Sequence, residues 1–193
     1  DAVVSDIPVP YSLYVLEIPQ RQTILAVSTE RIQTRLVRGE TFEFPILFGE
    51  AGGQQPLQSI SMSYSSGLTN TSATSFNNIP AGTSQSARFS IKPTSNYNGF
   101  INIVSANAGT QTVYVDAIIN SAPVLSNIND VNIQTGQKVT ITASATDADS
   151  DTITYAIDNS NFAQSGNVFT WTPTATGTYV VTVTASDGLE EVK

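Results

Sequence analysis

The chain has 193 residues, with 16 acidic and 8 basic side chains, no histidine, no cysteine and a formal net charge of −8. Without imidazole or thiol it cannot assemble a Ser-His-Asp or Cys-His nucleophile, a zinc site of the usual nitrogen or sulfur kind, or a disulfide, and an acidic chain without clustered Lys and Arg argues against a nucleic-acid partner. Ser, Thr, Asn and Gln fill 71 positions while 40% of residues are hydrophobic, enough apolar side chains for a packed core beneath a polar, mostly uncharged surface.

Period-2 alternation runs through almost the whole chain, and no window shows a sustained period of 3.6, so an all-β protein is expected. Residues 1–18 come first: Val3, Ile7, Val9, Tyr11, Leu13 and Val15 share one parity, broken only by Ser5. This stripe predicts an extended strand, with Pro8 and Pro10 removing two donors from one of its edges. Strands are then predicted over residues 21–28 and 31–37, along Phe42, Phe44, Ile46 and Phe48, along Ile60, Met62 and Tyr64, and over residues 87–91, 100–106 and 111–118. Turns at Gly39, Gly52-Gly53, Gly67, Pro80 to Gly82, Asn98-Gly99 and Gly109 separate them.

The second part repeats this grammar with stripes at Val139, Ile141, Ala143 and Ala145, then Ile153, Tyr155 and Ile157, then Phe169 and Trp171, then Tyr179, Val181, Val183 and Ala185. Gly39 and Gly136 are each followed by apolar residues at +3, +5 and +7, and Ala106-Asn107-Ala108-Gly109 lines up with Ala185-Ser186-Asp187-Gly188. The expected fold is two tandem immunoglobulin-like β-sandwiches, residues 19–119 and 120–193, behind an N-terminal donor strand at 1–18. The expected boundary is Asn120-Ser121-Ala122-Pro123.

The two repeats differ at their last strand. After Gly109 comes a complete strand, Thr110 to Ile119, whereas after Gly188 come only Leu189, Glu190, Glu191, Val192 and Lys193. A truncated final strand leaves unpaired backbone groups along an edge and a slot in the apolar core, flanked on this reading by Tyr179, Val181, Val183, Ala185 and Val192. Insertion of the spare N-terminal strand of a neighbouring copy would fill it, and burying six apolar side chains at about 1.5–3 kcal/mol each is worth roughly 9–18 kcal/mol before ordering costs. Such a head-to-tail contact repeats into an open filament unless the rotation closes it.

With the Asn120 to Leu125 run, Gly136, Asp147-Ala148-Asp149-Ser150-Asp151, Phe169-Thr170-Trp171-Thr172-Pro173 and Ser186-Asp187-Gly188 in sequence order, residues 120–193 resemble the immunoglobulin-like and cadherin-like domains of microbial surface proteins. The whole arrangement resembles the subunits of archaeal surface threads, cysteine-free two-domain pilins joined by donor-strand complementation. These resemblances imply an extracellular cell-surface filament of identical subunits in helical array, serving adhesion and biofilm formation. The alternative is a monomeric adhesin or surface-layer module cut from a longer chain.

Asp147, Asp149 and Asp151 offer clustered hard oxygen ligands, and the cadherin-like resemblance makes calcium the candidate ion, against a plain polar turn; no other cofactor is expected. Asn70-Thr71-Ser72 is the only glycosylation sequon, placing Asn70 in a loop rich in Gly, Ser and Thr. Arg21, Arg31, Arg35 and Arg38 hold half of the positive charge and read as solvated strand residues or as a face for an acidic second domain of a neighbour. Trp171 with Phe162, Phe169 and Tyr179 reads as core rather than a sugar platform. An isopeptide bond at Lys92 or Lys138 is not expected, because alternation leaves Lys138 exposed. No acid/base constellation is present, so enzymatic activity is not expected. No apolar run approaches 18 residues, so no membrane-spanning helix is expected, and the residues from Asp1 lack the basic end and apolar middle of a secretion signal, so any leader has been removed.

Overall fold

A computed structural model describes residues 22–193 of the chain. The donor stripe Val3, Ile7, Val9, Tyr11, Leu13 and Val15, and Arg21, lie outside the described residues. Among the described residues all regular structure is strand: β1 (Leu25–Val27), β2 (Arg31–Leu36), β3 (Phe42–Glu50), β4 (Leu57–Tyr64), β5 (Leu68–Asn70), β6 (Ser75–Ile79), β7 (Ser84–Ile91), β8 (Tyr97–Ser105), β9 (Gly109–Ile119), β10 (Val124–Leu125), β11 (Val139–Thr142), β12 (Ala145–Thr146), β13 (Thr154–Ile157), β14 (Ala163–Ser165), β15 (Val168–Trp171), β16 (Val183–Ser186) and β17 (Glu191–Val192).

Strands β1 to β9 form a four-stranded sheet, β1-β3-β7-β5, and a five-stranded sheet, β2-β9-β8-β4-β6. Their alternate residues share one core. Phe44, Ile46 and Phe48 of β3 and Ala87, Phe89 and Ile91 of β7 join Ile101 and Ile103 of β8 and Val113, Val115 and Ala117 of β9 in it, all buried. Each large apolar side chain fully removed from water contributes about 1.5–3 kcal/mol, which is why the alternating stripes, rather than any motif, specify this part of the fold. Pro45 sits inside β3 without breaking it. The neighbouring odd-numbered residue Leu47 bonds toward the β1 side, through its carbonyl to Ser28 N at 2.8 Å and its N–H to Ser28 Oγ at 3.3 Å. The donor that Pro45 lacks would face the same side, beyond the end of β1, where no strand among the described residues waits for it.

At one end of this unit Glu50 is only 4% exposed. Its carboxylate accepts the N–H groups of Ile24 at 3.2 Å, Gly52 at 2.7 Å, Gly53 at 2.6 Å and Gly82 at 3.0 Å, tying the start of β1 to two turns. Burial pushes its pKa up, but the four backbone donors outweigh burial and hold it below the usual glutamate value. A side chain at Gly52 would meet Glu50 Oε1 and the carbonyl oxygen of Gln22, each 2.7 Å from its first carbon, so only glycine lets the turn close on the carboxylate.

Strands β10 to β17 form a second set of sheets, β11-β15-β14, β13-β16-β17 and the β10-β12 pair. Their core is smaller: Val139, Ile141, Ala143, Phe169 and Val183, with Leu125, Tyr155, Phe162, Trp171 and Val181 packed around it. The two units begin with the same turn. Gly39 and Gly136 both have positive φ, +75° and +83°, and their N–H groups reach the carbonyls of Pro93 at 2.8 Å and Pro173 at 2.9 Å. In each turn the following side chain folds back on the backbone, Glu40 onto Val37 N at 3.2 Å and Gln137 onto Gln134 N at 3.1 Å.

One predicted strand is corrected. The stripe Tyr179, Val181, Val183 and Ala185 implies a strand from 179 onward, but β16 begins only at Val183. Its partner β13 ends with Ile157 opposite Val183, and β17 reaches only Ala185 and Ser186. Residues 179–181 therefore have no strand on either side among the described residues, and alternation without a ladder partner does not make a strand.

Candidate functional site

The unladdered segment borders the main opening of the second unit. Val139, Ile141, Phe162, Trp171 and Val183 line a groove of about 1280 Å³ together with residues 127–135 and 175–182, Val192 and Lys193. Its walls carry apolar side chains in water: Val180 is 88% exposed, Val131 52% and Tyr179 45%. Exposed large apolar residues around a concavity are the features of an interaction surface or a ligand groove. Four of the five predicted flanking residues, Tyr179, Val181, Val183 and Val192, line this groove; Ala185 is fully buried and does not reach it.

The segment 179–182 is held at one point. Asp158 N donates to the carbonyl of Thr182 at 3.1 Å, and Thr182 N donates to Asp158 Oδ1 at 2.8 Å, the contact that holds the Asp158 pKa down. The amides of Tyr179, Val180 and Val181 find no acceptor among the described residues. Trp171 stands in the groove wall, 5.5 Å from the Phe162 ring and 4.7 Å edge-on to Tyr179. Three aromatic rings at the mouth of a slot form a socket for a bulky apolar side chain.

The acidic cluster lies at the junction between the two units. Carboxylate oxygens of Asp147, Asp149 and Asp151 fall within 4.8 Å of one another. Asp147 Oδ1 accepts the amides of Asp149 at 2.8 Å and Asp151 at 3.0 Å, and Ser150 adopts a left-handed φ of +66° that turns the loop back on itself. Arg35 reaches into the cluster from β2, with Nη2 2.8 Å from Asp149 Oδ2 and Nη1 2.6 Å from Asp151 Oδ2. The carboxylates thus have a cationic partner within the chain, a pairing 114 residues apart that no sequence signal announced. Backbone donation from Ser121, then Arg35, hold Asp149 below its ordinary pKa.

The remaining candidates are scattered, all but Lys138 in the first unit. Arg31 pairs with Asp116 and lies over the Tyr114 ring, and Arg38 donates to the carbonyl of Thr94. Asn70 closes β5; its Oδ1 accepts Ser72 N at 2.7 Å and Ser72 Oγ at 3.1 Å while its amide nitrogen is buried. Lys92 and Lys138 are exposed. No helix among the described residues is long and apolar enough to cross a membrane.

Residues 120–192 match the profile of the Bacterial Ig domain family. No curated protein shows significant similarity to the sequence. Among solved structures, an I-band fragment of titin aligns with 87% of this chain and 62% of its own at 10% identity and a TM-score of 0.46. The secreted serine protease VesC from Vibrio cholerae aligns with 89% of this chain and 48% of its own at 13% identity and a TM-score of 0.42. A family 123 glycoside hydrolase from Clostridium perfringens aligns with 52% of this chain at 13% identity and a TM-score of 0.42, and the match spans only 27% of the hydrolase. The match over residues 120–192, a region whose regular structure is short strands, supports an immunoglobulin-like domain in this part of the chain.

Proposed function

We propose that the protein is a structural subunit of an extracellular filament, built of two tandem sandwiches and polymerised when the apolar N-terminal stripe of one copy fills the groove of the next. The observation that carries this reading is the groove beside residues 179–181, mixed polar and apolar in lining, with Val139, Ile141, Phe162, Trp171 and Val183 as its apolar part, and bordered by unladdered backbone. An inserted strand would pair with that backbone while its alternate side chains enter the slot, Phe162, Trp171 and Tyr179 receiving the largest. The stripe from Val3 to Val15 has the required parity, and 18 extended residues reach roughly 60 Å. Extracellular placement and the absence of enzymatic activity belong to the same proposal.

Electron microscopy of the full chain and of a variant lacking residues 1–16 tests it. Unbranched fibres from the first and single particles from the second are expected; fibres from both would overturn the reading. A second reading, a module of a longer surface protein, draws on β17, which already pairs Val192 with Ala185 and is aligned to continue along β16. Under that reading, residues appended after Lys193 close the groove and yield a monomer even with residues 1–16 present.

A further inference from the structure

The two units meet through a small set of polar contacts centred on Arg35 and Asn120. Arg35 lies opposite Ile118 in the parallel pairing of β2 with β9, at the end of the five-stranded sheet from which the chain leaves for the second unit. Its guanidinium spans Asp149 and Asp151, and the Asp149 oxygen it touches also accepts Ser121 N at 2.7 Å. Asn120 is 5% exposed. Its backbone N–H donates to Leu36 O at 2.8 Å, and its amide nitrogen donates to Asp187 Oδ2 at 2.8 Å and Glu190 Oε2 at 3.0 Å. Asp187 in turn gathers the amides of Leu189 at 2.7 Å and Glu190 at 2.6 Å through its other oxygen. Two loops of the second unit are therefore each bound at the junction, 147–151 to Arg35 of β2 and to Ser121, and 187–190 to Asn120, which is itself tied to Leu36 of β2.

We infer that Arg35 acts as a built-in cation that clasps the acidic loop 147–151 and, with Asn120, locks the two units into one fixed orientation. Two observations separate a clasp from a chance surface pair. First, the guanidinium contacts two carboxylates that belong to a crowded trio, so its removal leaves like charges facing each other with no counter-ion. Second, the charged side chains are all about one-quarter to one-third exposed, Arg35 31%, Asp149 26% and Asp151 25%, which shields the pair from the full screening of water. The two terminal nitrogens of Arg35 reach different carboxylates, a span that a single ammonium does not reproduce. A short connection without such contacts would let the units swing, the default for linked domains with small polar interfaces.

The chain has no cysteine, so a pair of spin labels can be placed cleanly at Gln85→Cys in the first unit and Ser160→Cys in the second. Pulsed dipolar spectroscopy on the full chain, diluted with unlabelled protein, then reads the spread of distances between the units within one molecule. The wild-type pairings should give a single narrow distribution, unchanged by calcium at about 1 mM, the range in which extracellular modules bind it. Arg35→Gln should broaden it, Asp149→Asn with Asp151→Asn should broaden it comparably, and the triple variant should be no broader than either, because all three remove one contact. Arg35→Lys, which keeps charge but not the fork, should fall between. Thermal unfolding of each variant, with the transitions of both units retained, separates a loosened joint from a failed fold. A wild-type distribution in Arg35→Gln would overturn the inference, as would a calcium-dependent shift in the unsubstituted chain, which would assign the carboxylates to a metal.

Discussion

The last hairpins of the two units start from the same kind of turn and end differently. In the first, β8 and β9 pair through nine successive positions, from Tyr97 opposite Ala117 to Ser105 opposite Gly109, and β4 covers the other edge of β8. In the second, β16 and β17 pair at two positions, Ala185 with Val192 and Ser186 with Glu191. Upstream, Phe100 sits within a ladder in the first unit, whereas Tyr179, its counterpart in the aligned repeats, borders an open groove. The comparison teaches that a β-stripe becomes a strand only where partners on its flanks take up its hydrogen bonds.

The largest expected contrast is in hydrogen exchange. Amides of residues 101–104, laddered and buried, should exchange at least roughly a thousandfold more slowly than those of 179–181 in the unassembled protein, since opening energies run from near zero to the global value. Protection of 179–181 on filament formation would extend the comparison to the proposed function, and equal rates in the unassembled protein would break it. Next come the cores. Phe89→Ala should cost about 3–5 kcal/mol, while Phe169→Ala, in the smaller second core with fewer buried neighbours, should fall near the bottom of that range; calorimetry of the two variants checks the order.

Acid should discriminate the units more gently. Folding depresses the pKa of Glu50 in the first and of Asp149, Asp158 and Asp187 in the second. Each then contributes stability that is present above its unfolded pKa, near 4, and is lost as pH falls through the lower folded value. With three such groups against one, the second unit's transition should drop faster between about pH 5 and 2, and parallel decline of the two transitions would contradict this. The smallest effect is at the hairpin turns: Gly109→Ala and Gly188→Ala place a side chain at φ +76° and +94°, for about 1 kcal/mol each. A larger loss at Gly109 would follow from the longer ladder it registers, and chemical denaturation measures both.

Much of the fold was legible because β-sandwich cores are written with period 2. Phe44, Ile46 and Phe48 alternate in the sequence and are buried together, and the offsets after Gly39 and Gly136 correspond to one recurring turn. The groove was legible only in outline: the stripe at 179–185 identified its border but not that Ala185 is sealed inside. Arg35 escaped notice as anything more than one of four arginines, because nothing local distinguishes it from Arg31 or Arg38. Its partners are aspartates that the sequence presents as a metal-type cluster, and only their approach across the junction shows a guanidinium among them.

By itself the sequence determined strand content and the alternating cores, since each is a local property of order and hydrophobicity. Tertiary structure alone decided the parallel pairing of β2 with β9, the loss of regular structure at 179–182 and the clasp of Arg35 on Asp149 and Asp151. These depend on which segments meet across long separations, and backbone hydrogen bonds and charges are satisfied by neighbours in space rather than neighbours in sequence.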